Sequence, residues 1–262
     1  MNTPKLAALT GSIALTLALA GCGSDGSEDS GGGAAKKDKG TLTVLGAASL
    51  TGTFTTLAGQ FKAAHPGVNV KLAFDSSATL AEQVNQGAPA DVLATADTRT
   101  MKLVTDKDGT AAAPQLFATN HLQLAVPQKN PAHLTSFADL DKPGVKFVVC
   151  VDSAPCGKLA DTVLAATGIK AKPVSEEVDV KAVLSKVQLD EADAGLVYKT
   201  DAVAAGDKVK AIDIPTTNDN LNSYPIAALK GSKQPALAQE WVKLVLSAKG
   251  QQVLSDAGFG KP

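Results

Sequence analysis

Aromatic side chains are scarce: Phe, Trp and Tyr together make 4% of the 262 residues, with one Trp and two Tyr. A cleft for an organic solute wants aromatic walls, and an iron site wants paired tyrosines and carboxylates. Only Tyr198 and Tyr224 are on offer, and Tyr224 reads as a strand residue, so both classes fit poorly. Histidine is rarer still. His65, His121 and His133 have no metal-ligand spacing with one another or with the cysteines, and read as surface or hinge residues. A serine hydrolase would need a Gly-x-Ser-x-Gly elbow and a later histidine; there is no elbow, and His133 is the last histidine. Cys156 as a nucleophile has no evident base. Neither sign of charge dominates, with 25 basic and 26 acidic residues. That balance argues against a nucleic-acid partner.

Long apolar runs are also missing, apart from one at the start. Residues 6–20 are almost unbroken Leu, Ala, Ile and Thr after Lys5, too short and too poorly flanked to span a membrane. This is the h-region of an export signal. It ends in Leu19-Ala20-Gly21-Cys22, which resembles a bacterial lipobox, in which the cysteine takes a lipid and becomes the mature N-terminus. An ordinary small-residue cleavage site with an incidental cysteine is the alternative. Residues 23–40 are Gly, Ser, Asp, Glu, Ala and Lys, too polar to order themselves. As a coil such a tether spans about 20–25 Å. The chain is thus expected to be exported and held by lipid on Cys22 at the outer face of the cytoplasmic membrane. The other two cysteines, Cys150 and Cys156, read in an exported protein as a disulfide. Two reduced thiols, with Cys150 a strand core residue, are the alternative.

From residue 41 onward strand-like and helix-like segments alternate. Residues 41–45 are β-rich. Phe54, Leu57, Ala58, Phe61 and Ala64 share one helical face until Pro66-Gly67 stops it. A strand at 68–74, a helix at 79–86 and a strand at 91–94 continue a βαβ pattern. Strands at 122–127, 147–151, 194–197 and 224–229 follow, with helices at 157–167, 180–189, 234–247 and 250–257. No internal repeat rises above noise. The expected fold is α/β with two lobes, each a mostly parallel sheet flanked by helices. Lobe one is 41–120 plus 224–262, lobe two is 121–223, and the ligand cleft lies between them.

Two hydroxyl-rich junctions carry the chemistry: Gly46-Ala47-Ala48-Ser49-Leu50-Thr51 and Phe74-Asp75-Ser76-Ser77-Ala78-Thr79-Leu80. Each follows a strand and opens a helix, where first-turn N–H groups lack partners and the helix dipole is positive. Neither contains Lys or Arg, so an anion there would be held by neutral donors. Pro155-Cys156-Gly157 and Asp179-Val180-Lys181 open two more helices, and Tyr198 follows the strand Gly195-Leu196-Val197. As pattern alone, Ser49 and Ser77 read first as helix caps, the commonest role of a serine before a helix. Asp91 and Asp201 read as structural hydrogen-bonding residues, and Asp97 as the cap of the helix at 99–104. Asp139-Leu140-Asp141-Lys142 reads as a solvated turn.

Together with Gly87-Ala88-Pro89-Ala90-Asp91, Asp201-Ala202-Val203 and Gly258-Phe259, these stretches resemble the molybdate-binding proteins of bacterial ABC transporters. The resemblance implies that Ser49 and Ser77 donate hydroxyl and main-chain bonds, Cys156 and Val180 backbone N–H, and Tyr198 its phenol. Cys156 stands where a small residue such as Ala is expected. The resemblance also implies a two-lobed fold like that of periplasmic binding proteins, and molybdate or tungstate as ligand, with no cofactor, no direct metal bond and no catalysis. The implied partners are a permease and an ATPase, and the implied state is a monomer. The competing readings are another oxyanion such as sulfate, or an exported hydrolase.

Overall fold

Two five-stranded sheets, each flanked by helices, organise the chain. They are seen in a computed structural model that describes residues 39–215 and 219–262. Residues 1–38, and with them the export signal, Cys22 and nearly all of the tether, lie outside the described residues.

In the first lobe, β1 (Gly40–Ala47) leads through a 3-10 turn at Ala48–Leu50 into α1 (Thr51–Ala64). Then come β2 (Val68–Asp75), α2 (Ser77–Asn85), β3 (Val92–Ala94), α3 (Thr98–Thr105) and β4 (Gln115–Asn120). The second lobe runs through β5 (Leu122–Pro127), β6 (Phe147–Cys150), α4 (Pro155–Thr167) and β7 (Ser175–Glu177). It continues with α5 (Val180–Gln188), β8 (Ala194–Tyr198), α6 (Lys199–Ala205) and β9 (Val209–Ile212). The chain then returns as β10 (Asn222–Ala228), α7 (Pro235–Leu246) and α8 (Ala248–Asp256).

The strand orders are β2-β1-β3-β10-β4 and β7-β6-β8-β5-β9. Each sheet is mostly parallel, as expected, with one reversed strand, β10 in the first and β5 in the second. β2, β1 and β3 run parallel, as do β7, β6 and β8. β10 and β4, and likewise β5 and β9, pair antiparallel. The reason lies at the crossings. β4 passes into β5 through the single residue His121, and β10 re-enters the first sheet from the second lobe, so both arrive from the cleft side. The parallel strands instead end at the cleft, and their carboxyl ends carry the site.

Helical periodicity sets the core. α1 buries Thr53, Phe54, Leu57, Ala58 and Phe61, while Ala64 is exposed. Phe54 and Phe61 meet the fully buried Trp241 of α7 edge-on, at 5.5 and 5.6 Å between ring centres. Burying rings of this size contributes on the order of 1.5–3 kcal/mol each. Asp91 ties the base of lobe one by accepting from the Thr43 N–H at 2.7 Å and the Ser232 hydroxyl at 2.7 Å. Asp97 caps α3, accepting from the Thr100 N–H at 2.7 Å. The turn at 139–142 is a 3-10 helix closed by Ser136 and Asp139 as a capping box.

Four elements escape the sequence pattern. β4 has no clean alternation, β7 is three residues with two glutamates, and β9 is a four-residue edge strand. Sheet pairing, not local propensity, makes them strands. Lys199-Thr200-Asp201, polar in sequence, opens α6 because Thr200, Asp201 and Ala202 find burial beneath the second sheet.

Candidate anion site between the lobes

At the carboxyl ends of β1 and β2, Ala47, Ala48 and Ser49 face Asp75, Ser76 and Ser77 across a small cavity, with Ala96 beyond β3. From the second lobe, Ala154, Pro155 and Cys156 at the start of α4, Asp179 and Val180 at the start of α5, and Tyr198 at the end of β8 complete the wall. Ser49, Ser77, Cys156, Val180 and Tyr198 are therefore brought to one cavity by five different junctions. The space is about 10 Å³ for the centre of a water-sized body. That is on the order of one such sphere. A compact solute of a few atoms suits this arrangement; a large organic one does not.

The donors follow from how helices begin. The first intrahelical bond of α2 is Leu80 N–H to Ser76 O, which leaves the Ser77, Ala78 and Thr79 N–H groups without an intrahelical acceptor. In α4 the first is Lys158 N–H to Ala154 O. Pro155 has no N–H to orphan, so Cys156 and Gly157 supply the free donors. In α5 the Asp179 side chain takes the Ala182 N–H at 2.9 Å, leaving those of Val180 and Lys181. Ser76, not Ser77, occupies the cap position of α2, and its side chain makes no cap bond. Ser77 Oγ instead accepts from the Ala96 N–H at 2.9 Å. Ser49 Oγ lies 3.0 Å from the Tyr224 hydroxyl. Tyr198 Oη accepts from Asn222 Nδ2 at 2.7 Å.

Among the described residues no Lys or Arg lines the cavity. Lys181, next to Val180, turns to the fully buried Asp201, with Nζ 2.7 Å from Oδ1. Burial pushes the Asp201 carboxyl up, against the pull of Lys181. Burial likewise lifts the Tyr198 phenol well above its ordinary value, so it is a neutral donor throughout the physiological range. Asp75 and Asp179 line the cavity as well, a feature that the donor-only expectation did not include. Each turns one oxygen to backbone, Asp75 to the Ser76 N–H at 2.6 Å and Asp179 to Ala182.

Cys150 and Cys156 are joined by a disulfide with Cα atoms 5.7 Å apart. The link ties the end of β6 to the first turn of α4 and pins the loop between them. Closing so short a loop stabilises by about 2–2.5 kcal/mol on the chain-entropy account. Reduction is expected to lower the unfolding free energy by about that amount, read by urea denaturation with and without a thiol reductant. A change under about 0.5 kcal/mol would mean that the loop is held by packing alone.

Tyr224, Asn120 and Asn222 were not singled out for the site from sequence, since they reach it from far along the chain. Two more bonds join the lobes beside the cavity: Arg99 Nη2 to Ser153 O at 2.9 Å, and Asn222 Nδ2 to Pro155 O at 3.2 Å.

Known proteins resemble this chain in sequence and in fold. The molybdate-binding protein ModA of Mycobacterium tuberculosis is 44% identical over 251 residues, 96% of each chain. The periplasmic molybdate-binding protein of Azotobacter vinelandii superposes with a TM-score of 0.76 at 21% identity, covering 84% of this chain and 99% of that one. The sulfate-binding protein SubI of M. tuberculosis superposes with a TM-score of 0.74 at 16% identity, covering 84% and 86%. The fold therefore does not by itself separate one oxyanion from another. Residues 42–260 match the bacterial extracellular solute-binding proteins, and the chain belongs to that family.

Proposed function

We propose that this protein captures molybdate, and tungstate with it, in the interlobe cavity and delivers the anion to the permease and ATPase of an ABC importer. The observation that carries the reading is the convergence of three helix N-termini, a 3-10 turn and four hydroxyl-bearing residues on one small cavity that no Lys or Arg among the described residues lines. The 44% identity to a protein named for molybdate binding supports the choice of anion. A fully deprotonated tetrahedral dianion offers only acceptors, which is what hydroxyls and orphan N–H groups require. A lysine or arginine in the wall would add attraction that release must later overcome. Ser49 and Ser77 donate from lobe one, which the chain rejoins at Asn222, two residues before the boundary expected from sequence. Cys156, Val180 and Tyr198 donate from lobe two. The chain works as a monomer without catalysis, held to the membrane by lipid on Cys22.

Ser77→Ala is expected to weaken molybdate binding by about 1–3 kcal/mol, roughly 5–150-fold, because an oxyanion loses a donor in a dry site. Ser49→Ala is expected to act likewise. Calorimetry returning wild-type affinity for both would sink the assignment. A thermal-shift panel of molybdate, tungstate, sulfate, phosphate and Fe(III) tests the ligand class. Stabilisation by molybdate and tungstate alone supports the reading, and a larger shift with sulfate or phosphate overturns it.

A further inference from the structure

A hydroxyl can donate or accept, and a cavity for a bare dianion works only if every hydroxyl proton points inward. We infer that residues behind the cavity wall, Asn222 and the pair Asn120–Tyr224, fix that polarity by saturating the acceptor side of the cleft hydroxyls. The inference rests on the oxyanion reading above and extends it to residues outside the cavity lining.

Ser77 shows the principle. Its Oγ takes the backbone N–H of Ala96, a group that can only donate. The Ser77 proton is thereby free to face the cavity.

Tyr198 is set by a side chain. Asn222 places Nδ2 2.7 Å from Tyr198 Oη and 3.2 Å from the Pro155 carbonyl oxygen. That carbonyl only accepts, so the amide must present its nitrogen there and not its oxygen. Tyr198 Oη then accepts from Asn222, and its own proton turns to the cavity. Asn222 begins β10 in the first lobe's sheet, whereas Tyr198 and Pro155 belong to the second lobe. Tyr198 is thus committed as a donor by contact with the opposite lobe.

Ser49 is set at one remove. Asn120 Oδ1 accepts from the His121 N–H at 3.1 Å, which fixes that amide as well. Its Nδ2 then donates to Thr200 Oγ1 at 2.9 Å and to Tyr224 Oη at 3.4 Å. Tyr224, fully buried, lies 3.0 Å from Ser49 Oγ, and on this account its own proton goes there. The Ser49 proton is left for the cavity. Both phenols are held neutral by burial, so the direction of the chain is constant across ordinary pH.

Asn222 and Tyr224 are positioning residues on this account, and their effect must pass through the hydroxyl each one orients. The test is a pair of double-mutant cycles on the full chain, with molybdate affinity read by calorimetry and ligand-free melting temperature alongside. Asn222→Ala is expected to weaken binding about tenfold in the wild type and by less than about twofold in Tyr198→Phe. Tyr224→Phe is expected to weaken it about tenfold in the wild type and by less than about twofold in Ser49→Ala. Equal losses in both backgrounds would mean that the outer residues act on the general shape of the lobes, and the inference would fall. Wild-type affinity in Tyr198→Phe and Ser49→Ala would instead overturn the oxyanion site itself. Should Asn222→Ala fail to fold, the Tyr224 cycle decides alone.

Discussion

Gly157→Ala is expected to abolish measurable molybdate binding and to destabilise the fold by about 3 kcal/mol or more. Gly157 sits in the first turn of α4, against the end of β6. A methyl group there would overlap the carbonyl oxygen of Val151 and stand 2.6 Å from that of Cys150. Both obstacles are backbone, so no side-chain rotation relieves them, and the disulfide at Cys156 prevents α4 from sliding away alone. The helix must shift as a body, and the Cys156 N–H moves with it. Gly59→Ala is the control. Gly59 lies in the exposed middle of α1 with nothing within 4 Å of the added carbon. It should gain about 0.5–1 kcal/mol from helix propensity and leave binding untouched. Urea unfolding and calorimetry on both variants check the pair. A Gly157→Ala protein with wild-type stability and affinity would refute the close approach of α4 to β6.

Lys181→Met is expected to cost about 2–3 kcal/mol of stability at neutral pH and much less in acid. Removing the ammonium leaves the Asp201 carboxylate fully buried with its countercharge gone. The lower end of the usual range applies because Lys181 is 36% exposed and water screens part of the interaction. Burial already raises Asp201, Lys181 opposes that rise, and Asp179 adds to it. Without Lys181 the folded-state pKa climbs further above the unfolded value of about 3.9. Folded protein then binds more protons than unfolded, so the stability of the variant is full in acid and is lost as pH rises through the folded pKa. The gap to wild type should therefore close as pH falls toward about 4. A loss that does not vary with pH would show that Lys181 matters through its methylene packing. Asp201→Asn, which removes the buried charge and keeps the shape, should be milder at neutral pH. The pair also explains why the lysine nearest the cavity adds no attraction for the anion: its charge is answered within its own lobe.

Local chemistry was legible where a strand ends and a helix begins. Ser49, Ser77, Cys156 and Val180 all stand at such junctions, because apolar strands, small residues and helix-opening patterns are properties of adjacent residues. Asp97 was legible for the same reason, being three residues from the N–H that it caps. The edge strands β7 and β9 were not, since a short polar segment becomes a strand only when a neighbour offers its backbone. α6 was missed because its first turn is polar in sequence yet buried in the fold. The one reversed strand of each sheet, β10 and β5, was not legible, because strand direction depends on which side of the cleft a segment enters from.

The sequence by itself determined a chain of alternating strands and helices whose two serine-bearing junctions present neutral donors without a cation. These are short-range facts, settled by composition and by the orphan N–H groups of helix starts. Only the tertiary structure decided that five junctions from two lobes share one cavity, and that Lys181 is turned aside to Asp201. On the inference drawn above, it alone also sets which way the hydroxyls point. A serine or tyrosine in a sequence is donor and acceptor at once. Its polarity is fixed by the partner at its back, and for Ser49 that partner is Tyr224, 175 residues away.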